Sequence, residues 1–344
     1  MSVCCFLPPL LLERLVLHGD ERQRTLALRT LSTDSSLRSA RLQSAVLPRR
    51  RAHLRASAAG PQRSIHDAGG LEQQPGRLVR AEGQPAVGDA AVDEAYDGLG
   101  ATYALLSEAF GRDSLDDEGL PLVATVHSGQ DYDNAFWDGT QMVFGDGDGE
   151  VFLRFTLAVE VIGHELAHGM VQDEAALAYL GQSGALNESV SDVFGALVKQ
   201  HALQQRADEA DWLIGAGLLA PGVGGVALRS MAAPGTAYDD PVLGKDPQPG
   251  HMDDFVFTTT DNGGVHINSG IPNRAFHLAA TALGGFAWER AGKVWYDALR
   301  DPRLRPTARF DAFAAATVRA ALALGAEEAT AVREAWAGVG VSTT

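Results

Sequence analysis

Two histidines spaced four residues apart constrain this chain more than any other feature of its sequence. They are His164 and His168, with Glu165 directly after the first. On an α-helix, residues i and i+4 lie within about 40° of each other and about 6 Å apart along the axis, so both imidazoles can bind one metal ion. Glu165 lies roughly 100° around the helix, where a base beside the metal can take a proton from water. The pattern predicts a helix that carries a zinc site.

A second segment, which contains Glu188 and Asp192, supplies what the two histidines lack. Catalytic zinc usually has three protein ligands and an open fourth position. Glu188 lies 24 residues after His164 on a second predicted helix, and Asp192 lies one turn further on the same face. A ligating histidine usually donates its other ring N–H to a carboxylate or carbonyl. We therefore predict His164, His168 and Glu188 as zinc ligands and Asp192 as a supporting partner, in preference to two charged helices without metal.

The two segments together resemble the thermolysin family of zinc metallopeptidases. The resemblance rests on His164-Glu165-Leu-Ala-His168, on the 19 residues between His168 and Glu188, and on Asn187-Glu188-x-x-Ser191-Asp192. Residues 134–149 are similar to the family's substrate-edge strand and the following turn, and residues 261–270 to its second catalytic segment. The similarity extends from about residue 65 to the C-terminus. The preceding residues resemble the short prosegment of the protealysin subgroup.

The resemblance implies a zinc-dependent neutral endopeptidase that is made as a precursor with an inhibitory prosegment. Proton transfer by a positioned carboxylate and stabilisation of an oxyanion by hydrogen-bond donors are the two effects expected of its site. An ion pair between Arg229 and Asp192 is also expected, and Asn187 would support the metal ligands. The implied catalytic residues are Glu165 as the base, His266 and Tyr179 as oxyanion donors, Asp261 as the residue that orients His266, and Arg229 as the residue that holds a substrate carbonyl.

The resemblance also implies the surfaces that hold a substrate. An extended peptide would pair as an added strand with Asn134 and the backbone of Ala135. Asp133 departs from the family pattern, because relatives commonly have Asn there. An apolar pocket for the residue after the scissile bond implies cleavage before Leu, Phe, Ile or Val. Its lining would be Phe152, Phe155, Val161, Ile214, Leu218 and Leu228.

The expected fold class is α+β, with a β-rich lobe, a helical lobe and the zinc helix between them. Short apolar runs bounded by Gly, Pro or Asp favour strands, and apolar residues at helical spacing favour helices. The predicted domains are a prosegment at 1–52, a β-rich lobe at 53–180 and a helical lobe at 181–344. The predicted strands are Leu122–His127 and Gln141–Phe144. The predicted helices are Glu94–Phe110, Arg154–Val171, Ile271–Leu283, Trp288–Leu299, Arg309–Leu324 and Glu327–Trp336.

Charge is unevenly distributed along the chain, whose net charge is −16. Residues 1–55 contain ten Arg and four acidic residues, whereas the remainder carries 18 basic and 40 acidic residues. Opposite charges should draw the basic segment to the acidic body, although salt screens this attraction. A nucleic-acid role for the basic segment is the competing interpretation, but aromatic stacking residues and a known motif are missing. The expected partners are peptide substrates and the chain's own prosegment, with no nucleic acid and no membrane, and the expected state is a monomer.

The N-terminal segment, residues 1–52, is here called the head segment. Pro8-Pro9 followed by three leucines predicts an amphipathic helix with proline in its first turn. The first basic residue is Arg14 and the prolines interrupt the apolar run, so no conventional export signal is predicted. The chain is expected to be cytoplasmic or exported by a non-classical route. It contains no run of 18 apolar residues, so no membrane-spanning helix is predicted. Residues 47–61 have the composition of an exposed connector, which predicts processing between Arg49 and Arg63.

Both cysteines, Cys4 and Cys5, lie in the head segment. Adjacent cysteines seldom bridge each other, so we expect no disulfide. One hypothesis is that a thiolate caps the zinc in the precursor, because thiolate is a good zinc ligand. The favoured alternative is that they are small buried residues that pack the head segment onto the body.

Calcium is where the sequence departs most from the family. The relatives' double calcium site uses several acidic residues, but Lys199, Leu213 and Ala216 stand at corresponding positions here, and only Glu160 and Asp211 remain. Too few oxygen ligands are left for Ca²⁺, so the site is predicted to be lost, with Lys199 pairing with the two acids instead. Two alternatives to the endopeptidase stay open: a zinc aminopeptidase, which needs an acidic pocket for a free N-terminus, and a non-catalytic binding module on the same fold.

Overall fold

One mixed sheet forms the β-rich part of the protein. The computed structural model describes residues 4–44 and 60–343, with side chains for residues 5–36 and 60–343. The sheet has six strands in the order β1-β5-β6-β4-β2-β3, and only the β2/β4 and β4/β6 pairs are parallel. Its strands are β1 Cys4–Cys5, β2 Arg63–Asp67, β3 Arg77–Ala81, β4 Leu122–Val126, β5 Ala135–Trp137 and β6 Met142–Phe144.

Helices dominate the rest of the described chain. They are α1 Pro9–His18, α2 Glu21–Ser44, α3 Ala90–Phe110, α4 Val159–Glu174, α5 Gly181–Leu203, α6 Asp261–Asn268, α7 Gly270–Leu283, α8 Ala291–Leu299, α9 Phe310–Leu324 and α10 Ala326–Ala337, with a 3₁₀ turn at Met252–Asp254. Four short strands form two small ribbons: β7 Leu213–Ile214 with β8 Arg229–Ser230, and β9 Asp239–Asp240 with β10 Gly244–Lys245. The expected α+β class is confirmed, because the sheet precedes a largely helical C-terminal region.

Helix ends were predicted less well than helix positions. The zinc helix α4 begins at Val159, not at Arg154, because Arg154 and Thr156 bind the Glu94 carboxylate and hold the chain in a turn. Helix α5, which carries Glu188, begins at Gly181. Helix α3 starts at Ala90, earlier than predicted, because Asp89 caps it by accepting hydrogen bonds from two backbone amides. The apolar stripe alone did not reveal that cap.

The helices of the C-terminal region pack around stacked aromatic rings. The Trp295 and Trp336 rings lie 6.0 Å apart and nearly parallel, and Phe313 packs edge-on to both. The predicted helices there are confirmed to within about three residues. The largest difference is α8, which begins at Ala291 and leaves Trp288 outside, stacked on Phe286.

The head segment packs onto the body instead of extending away from it. As predicted, a helix starts at the prolines: Pro9 is its first residue, and Leu11, Leu12 and Leu15 are buried. Strand β1 pairs antiparallel with β5 at the edge of the sheet. The predicted boundary at residue 52 and most of the predicted processing region lie outside the described residues. No described helix has the length and apolar character needed to cross a membrane.

Candidate metal centre and active site

Helices α4 and α5 bring three metal-ligating side chains together in the interior. The Nε2 atoms of His164 and His168 are 3.1 Å apart, and each lies 3.5 Å from an oxygen of the Glu188 carboxylate. All three side chains are buried. They are the one group of this kind found among the described residues, with ligand atoms within 4.8 Å of one another.

Small residues allow the two helices to approach this closely. A Cβ atom on Gly195 of α5 would lie 2.3 Å from the carbonyl oxygen of Glu160 on α4. A Cβ atom on Gly163 of α4 would lie 2.9 Å from the Val198 side chain. Both distances are shorter than real Cβ contacts, so glycine is required at both positions of the crossing.

Hydrogen bonds orient both imidazoles toward the carboxylate. His164 Nδ1 lies 2.8 Å from Asp192 Oδ1, and His168 Nδ1 lies 2.8 Å from Asn187 Oδ1. A Nδ1–H donated to these oxygens leaves the Nε2 lone pairs free to bind a cation. Burial lowers the pKa of His168 to about 4, which keeps this ring neutral near pH 7.

The donor set fits zinc. Glu188 Oε2 is buried and has no hydrogen-bond donor within the described part of the chain. Burial alone would raise the pKa of Glu188, but the neighbouring His266, His168 and His164 lower it, so the group is a carboxylate. Two neutral imidazole nitrogens and a carboxylate oxygen are ligands that zinc prefers, and a catalytic zinc site needs only three protein ligands. His164, His168 and Glu188 would hold the ion.

Glu165 lies beside this centre and is joined to the sheet. Its Oε2 accepts a hydrogen bond of 2.9 Å from the backbone amide of Trp137 in β5, and the side chain is fully buried. This contact holds the Glu165 carboxylate between the metal ligands and strand β5. Sequence reasoning placed Glu165 near the metal but did not identify Trp137 as its partner.

His266 and Tyr179 face Glu188 from another side. The Tyr179 hydroxyl is hydrogen-bonded to Glu188 and lies 3.2 Å from His266 Nε2. His266 Nδ1 lies 2.5 Å from Asp261 Oδ1, and the His266 amide donates to the second oxygen of Asp261. Three residues with positive φ, Asn262 to Gly264, make the bend that allows both contacts. Burial lowers the pKa of His266, but Asp261 and Glu188 outweigh burial and raise it to about 9.

Arg229 forms the ion pair expected for it and also reaches into the cleft. Its Nε and Nη2 donate to the two oxygens of Asp192 at 2.9 and 2.7 Å. Burial opposes the ionised form of Asp192, but Arg229 and His164 lower its pKa. Asn273 of α7 also donates to Asp192, at 2.8 Å. Asn273 was not identified from the sequence. The one feature that could have indicated its role is that it is a polar residue on the buried face of an apolar helix.

The head segment occupies the cleft above these residues. The Phe6 amide donates to the carbonyl of Ala135 at 3.0 Å, and the Leu7 amide donates to Asn134 Oδ1 at 2.9 Å. The Phe6 ring lies 5.3 Å from the His164 ring and 6.5 Å from the Phe155 ring, measured between centroids. The six residues predicted for the apolar pocket are all buried in the same core cluster as Phe6. The head segment therefore contacts both predicted edge residues, Asn134 and Ala135, and one of the predicted pocket residues, Phe155.

Cys5 does not follow the metal-capping hypothesis. Its side chain is buried among Tyr132, Phe136 and Val143. Side chains alternate along a strand, and Phe6 is the neighbour that points toward His164. The favoured packing alternative therefore describes Cys5, while the side chain of Cys4 lies outside the described residues.

Lys199 lies where it was predicted to lie, between Glu160 and Asp211. Its Nζ lies 2.8 Å from Asp211 and 3.5 Å from Glu160. Burial raises the pKa of Glu160, and the Lys199 ammonium opposes that rise. One ammonium group therefore pairs with both carboxylates that could otherwise bind a cation.

A buried centre of two histidines and one glutamate, set between a mixed sheet and a helical region, defines a metallopeptidase of the two-lobed class. Two family descriptions match the chain: the thermolysin metallopeptidase catalytic domain over residues 59–172, and its alpha-helical domain over residues 175–341. The chain belongs to the thermolysin family of metallopeptidases.

Relatives support this assignment over 81% to 98% of the chain. An extracellular metalloprotease of Pectobacterium carotovorum subsp. carotovorum is 55% identical over 98% of this chain and 96% of its own length. Protease PrtS of Photorhabdus sp. is 56% identical over 81% of this chain and 76% of its own. The solved precursor of protealysin, a metalloproteinase from Serratia proteamaculans, matches with a TM-score of 0.91 and 54% identity over 98% of this chain and 100% of that one. The predicted protealysin-like subgroup is thereby confirmed.

Proposed function

We propose that this chain is the precursor of a neutral endopeptidase that hydrolyses peptide bonds before hydrophobic residues. The convergence of His164, His168 and Glu188 beside the buried Glu165 carries the proposal. When bound, zinc supplies Lewis acidity, which makes water a stronger nucleophile at neutral pH and polarises a carbonyl. Glu165 would take a proton from the attacking water and later give it to the departing amine.

The other cleft residues bind and orient the peptide. Asn134 and Ala135 pair with its backbone, Arg229 holds a carbonyl, and the predicted apolar pocket receives the side chain after the bond. His266 and Tyr179 donate to the oxyanion, each contributing about 2.7–4 kcal/mol to the stabilisation of the transition state. Asp261 holds the imidazole of His266, while Asp192 and Asn187 hold the ligand histidines.

The path of the head segment favours an endopeptidase over an aminopeptidase. The chain continues on both sides of Phe6, with Cys4 paired to Trp137 on one side and Leu7 bound by Asn134 on the other. A site for a free N-terminus would be closed on one side. Peptides with blocked ends should therefore be cleaved as well as peptides with free ends, and a requirement for a free amino group would support the aminopeptidase alternative.

The head segment acts in this proposal as an inhibitory prosegment, with boundaries near residue 52 for the prosegment and near residue 180 between the lobes. The mature enzyme is proposed to act as a monomer on peptides, without nucleic acid, and outside the cell, as the name of the Pectobacterium relative suggests for that protein.

Expression of the wild type beside Glu165→Ala tests the proposal. The wild type should mature to a shorter form, and the variant should stay full length and unfold in one cooperative thermal transition. Peptidase activity should fall by about 10²–10⁴-fold or more in the variant, as expected for loss of a positioned base. A Glu165→Ala protein that matures and cleaves peptides at the wild-type rate would refute the role of Glu165.

A further inference from the structure

One peptide bond of the head segment lies where the scissile bond of a substrate would lie. His266 Nε2 is 3.1 Å from the carbonyl oxygen of Cys5, and the next residue, Phe6, donates its amide to Ala135. Arg229 Nη1 lies 3.3 Å from the carbonyl oxygen of Phe6. The carbonyl group of the Cys5–Phe6 bond thus faces His266, the proposed oxyanion donor, and the amide group of the bond faces strand β5.

The side chains agree with this register. Phe6 is fully buried, with the Arg229 guanidinium 4.6 Å from its ring centroid and with Phe155 and His164 as further neighbours. An aromatic side chain therefore fills the apolar pocket from the position just after the bond, as proposed for substrates. The contacts to Asn134 and Arg229 extend the same register past Phe6.

We propose that the Cys5–Phe6 bond is a built-in substrate, which the chain's own site hydrolyses. One water molecule adds its OH to the Cys5 carbonyl carbon, the C–N bond breaks, and the water's other proton passes to the Phe6 nitrogen. The new carboxylic acid then gives its proton to the new amine, so the products at neutral pH are a Cys5 carboxylate and a Phe6 ammonium. This inference rests on the proposed endopeptidase function. It adds a cleavage position separate from the connector near residues 49–63.

The structure also indicates what happens after hydrolysis. The part before the bond is held by the short β1/β5 pairing, whereas the part after it continues into α1, whose Leu11, Leu12 and Leu15 are buried. Residues 1–5 should therefore leave, and Phe6 should stay in its pocket with a new N-terminus. Cleavage here trims the precursor without releasing the rest of the head segment.

The full-length precursor is prepared without metal, supplied with zinc, and followed by intact mass and N-terminal sequencing. The wild type should lose residues 1–5 while the connector is still intact, with a rate constant unchanged over about a 100-fold range of protein concentration, as an intramolecular step requires. Phe6→Leu should retain this cleavage, Phe6→Asp should slow it at least about 100-fold, and Glu165→Gln should abolish it.

A second readout does not depend on hydrolysis. In metal-free precursor, hydrogen exchange at the Phe6 and Leu7 amides should be slow in the wild type and in Phe6→Leu, and at least about tenfold faster in Phe6→Asp. Equal exchange in all three proteins would show that the pocket does not set the register and would overturn the inference.

A blocked reporter peptide with Phe after the bond separates the two possible failures. If matured protein cleaves the reporter but the precursor keeps Met1 until the connector is cut, the built-in substrate is refuted and the endopeptidase stands. If neither the reporter nor the Cys5–Phe6 bond is cut, both proposals fail.

Discussion

Asp133 carries a buried carboxyl group beside the substrate edge. Its Oδ1 accepts a hydrogen bond from the Asp148 amide at 2.7 Å, while Oδ2 has no hydrogen-bond partner among the described residues. Burial raises its pKa to about 8, and the nearby Asp148 charge adds to that rise. The folded protein therefore favours the protonated form of Asp133 well above the ordinary range of an aspartate.

The Asp133→Asn variant should be more stable than the wild type at pH 8 and equally stable at pH 4. Because the folded-state pKa lies above the ordinary range of an aspartate, ionisation costs stability progressively as pH rises from about 4 through about 8. Removal of a poorly satisfied buried charge should raise the free energy of unfolding by about 1–3 kcal/mol at pH 8. Urea unfolding at both pH values measures this, with the exposed Asp208→Asn as the control. An equal effect of Asp133→Asn at both pH values would contradict the assignment.

His127 was given no role from sequence, because its partners come from distant segments. Its Nδ1 lies 2.8 Å from Asp146 and its Nε2 lies 3.2 Å from Asp89, the residue that caps α3. The hydrogen bond to Asp146 raises the pKa of His127 to about 9, against an opposing effect of burial. The imidazolium thus links two loops at neutral pH.

The stabilisation by His127 should be present below about pH 6.5 and lost as pH rises through 9. This direction follows because the folded-state pKa is above the unfolded one, so the folded state binds the proton more tightly. His127→Asn tests it, since asparagine tolerates the observed φ of 53°. The variant should melt several degrees lower than wild type at pH 6, and the gap should close near pH 10. A gap that does not change with pH would rule out the charged pair.

At the scale of elements, the crossing of α4 and α5 sets the geometry of the metal centre. Gly195→Ala should force the helices apart, because the added Cβ would lie 2.3 Å from a backbone oxygen that cannot rotate away. Overpacking of this kind costs about 1–3 kcal/mol of stability. Zinc affinity should fall together with stability, since Glu188 is on α5 and both histidines are on α4. Thermal melts and zinc titration measure the two effects, and Ala202→Ser at the exposed end of α5 is the control. Unchanged zinc affinity in a destabilised Gly195→Ala protein would show that the packing of this crossing does not set the geometry of the metal centre.

The local patterns of the sequence were sufficient for most elements and for the core of the site. Helices α7, α9 and α10 were predicted to within one residue or so, because their apolar spacing is intrinsic to the segment. The start of α4 was wrong because it depends on Glu94, which lies about 60 residues away. The same reason explains why Trp137 and Asn273 were missed: each meets its partner only in the folded chain.

At the scale of the whole molecule, the uneven charge of the sequence predicted attraction but not a register. The position of β1 is set by β5, about 130 residues later, and by the pocket that receives Phe6. Neither the pairing with β5 nor the pocket for Phe6 can be read from the two-residue sequence of β1. The opposite charges of the head segment and the body also form specific ion pairs. Arg22 of α2 pairs with Glu150 and lies 3.9 Å from Asp131.

These contacts predict that salt weakens the binding of the head segment to the body. They also predict that loss of Arg22 weakens this binding more than loss of another arginine of α2. Exposed ion pairs contribute about 0.2–1 kcal/mol, so Arg22→Gln should speed hydrogen exchange in α1 of metal-free precursor by about 1.4- to 5-fold at low salt. Arg24→Gln removes the same charge, but Arg24 donates to the Val16 carbonyl within the head segment, and glutamine keeps an amide donor for it. Arg24→Gln should therefore have the smaller effect, and about 0.5 M NaCl should bring all three proteins to the same faster rate, because screening then extends over only a few ångströms. Equal acceleration by both substitutions at low salt would mean that net charge alone holds the head segment, and that the Arg22 contacts add nothing.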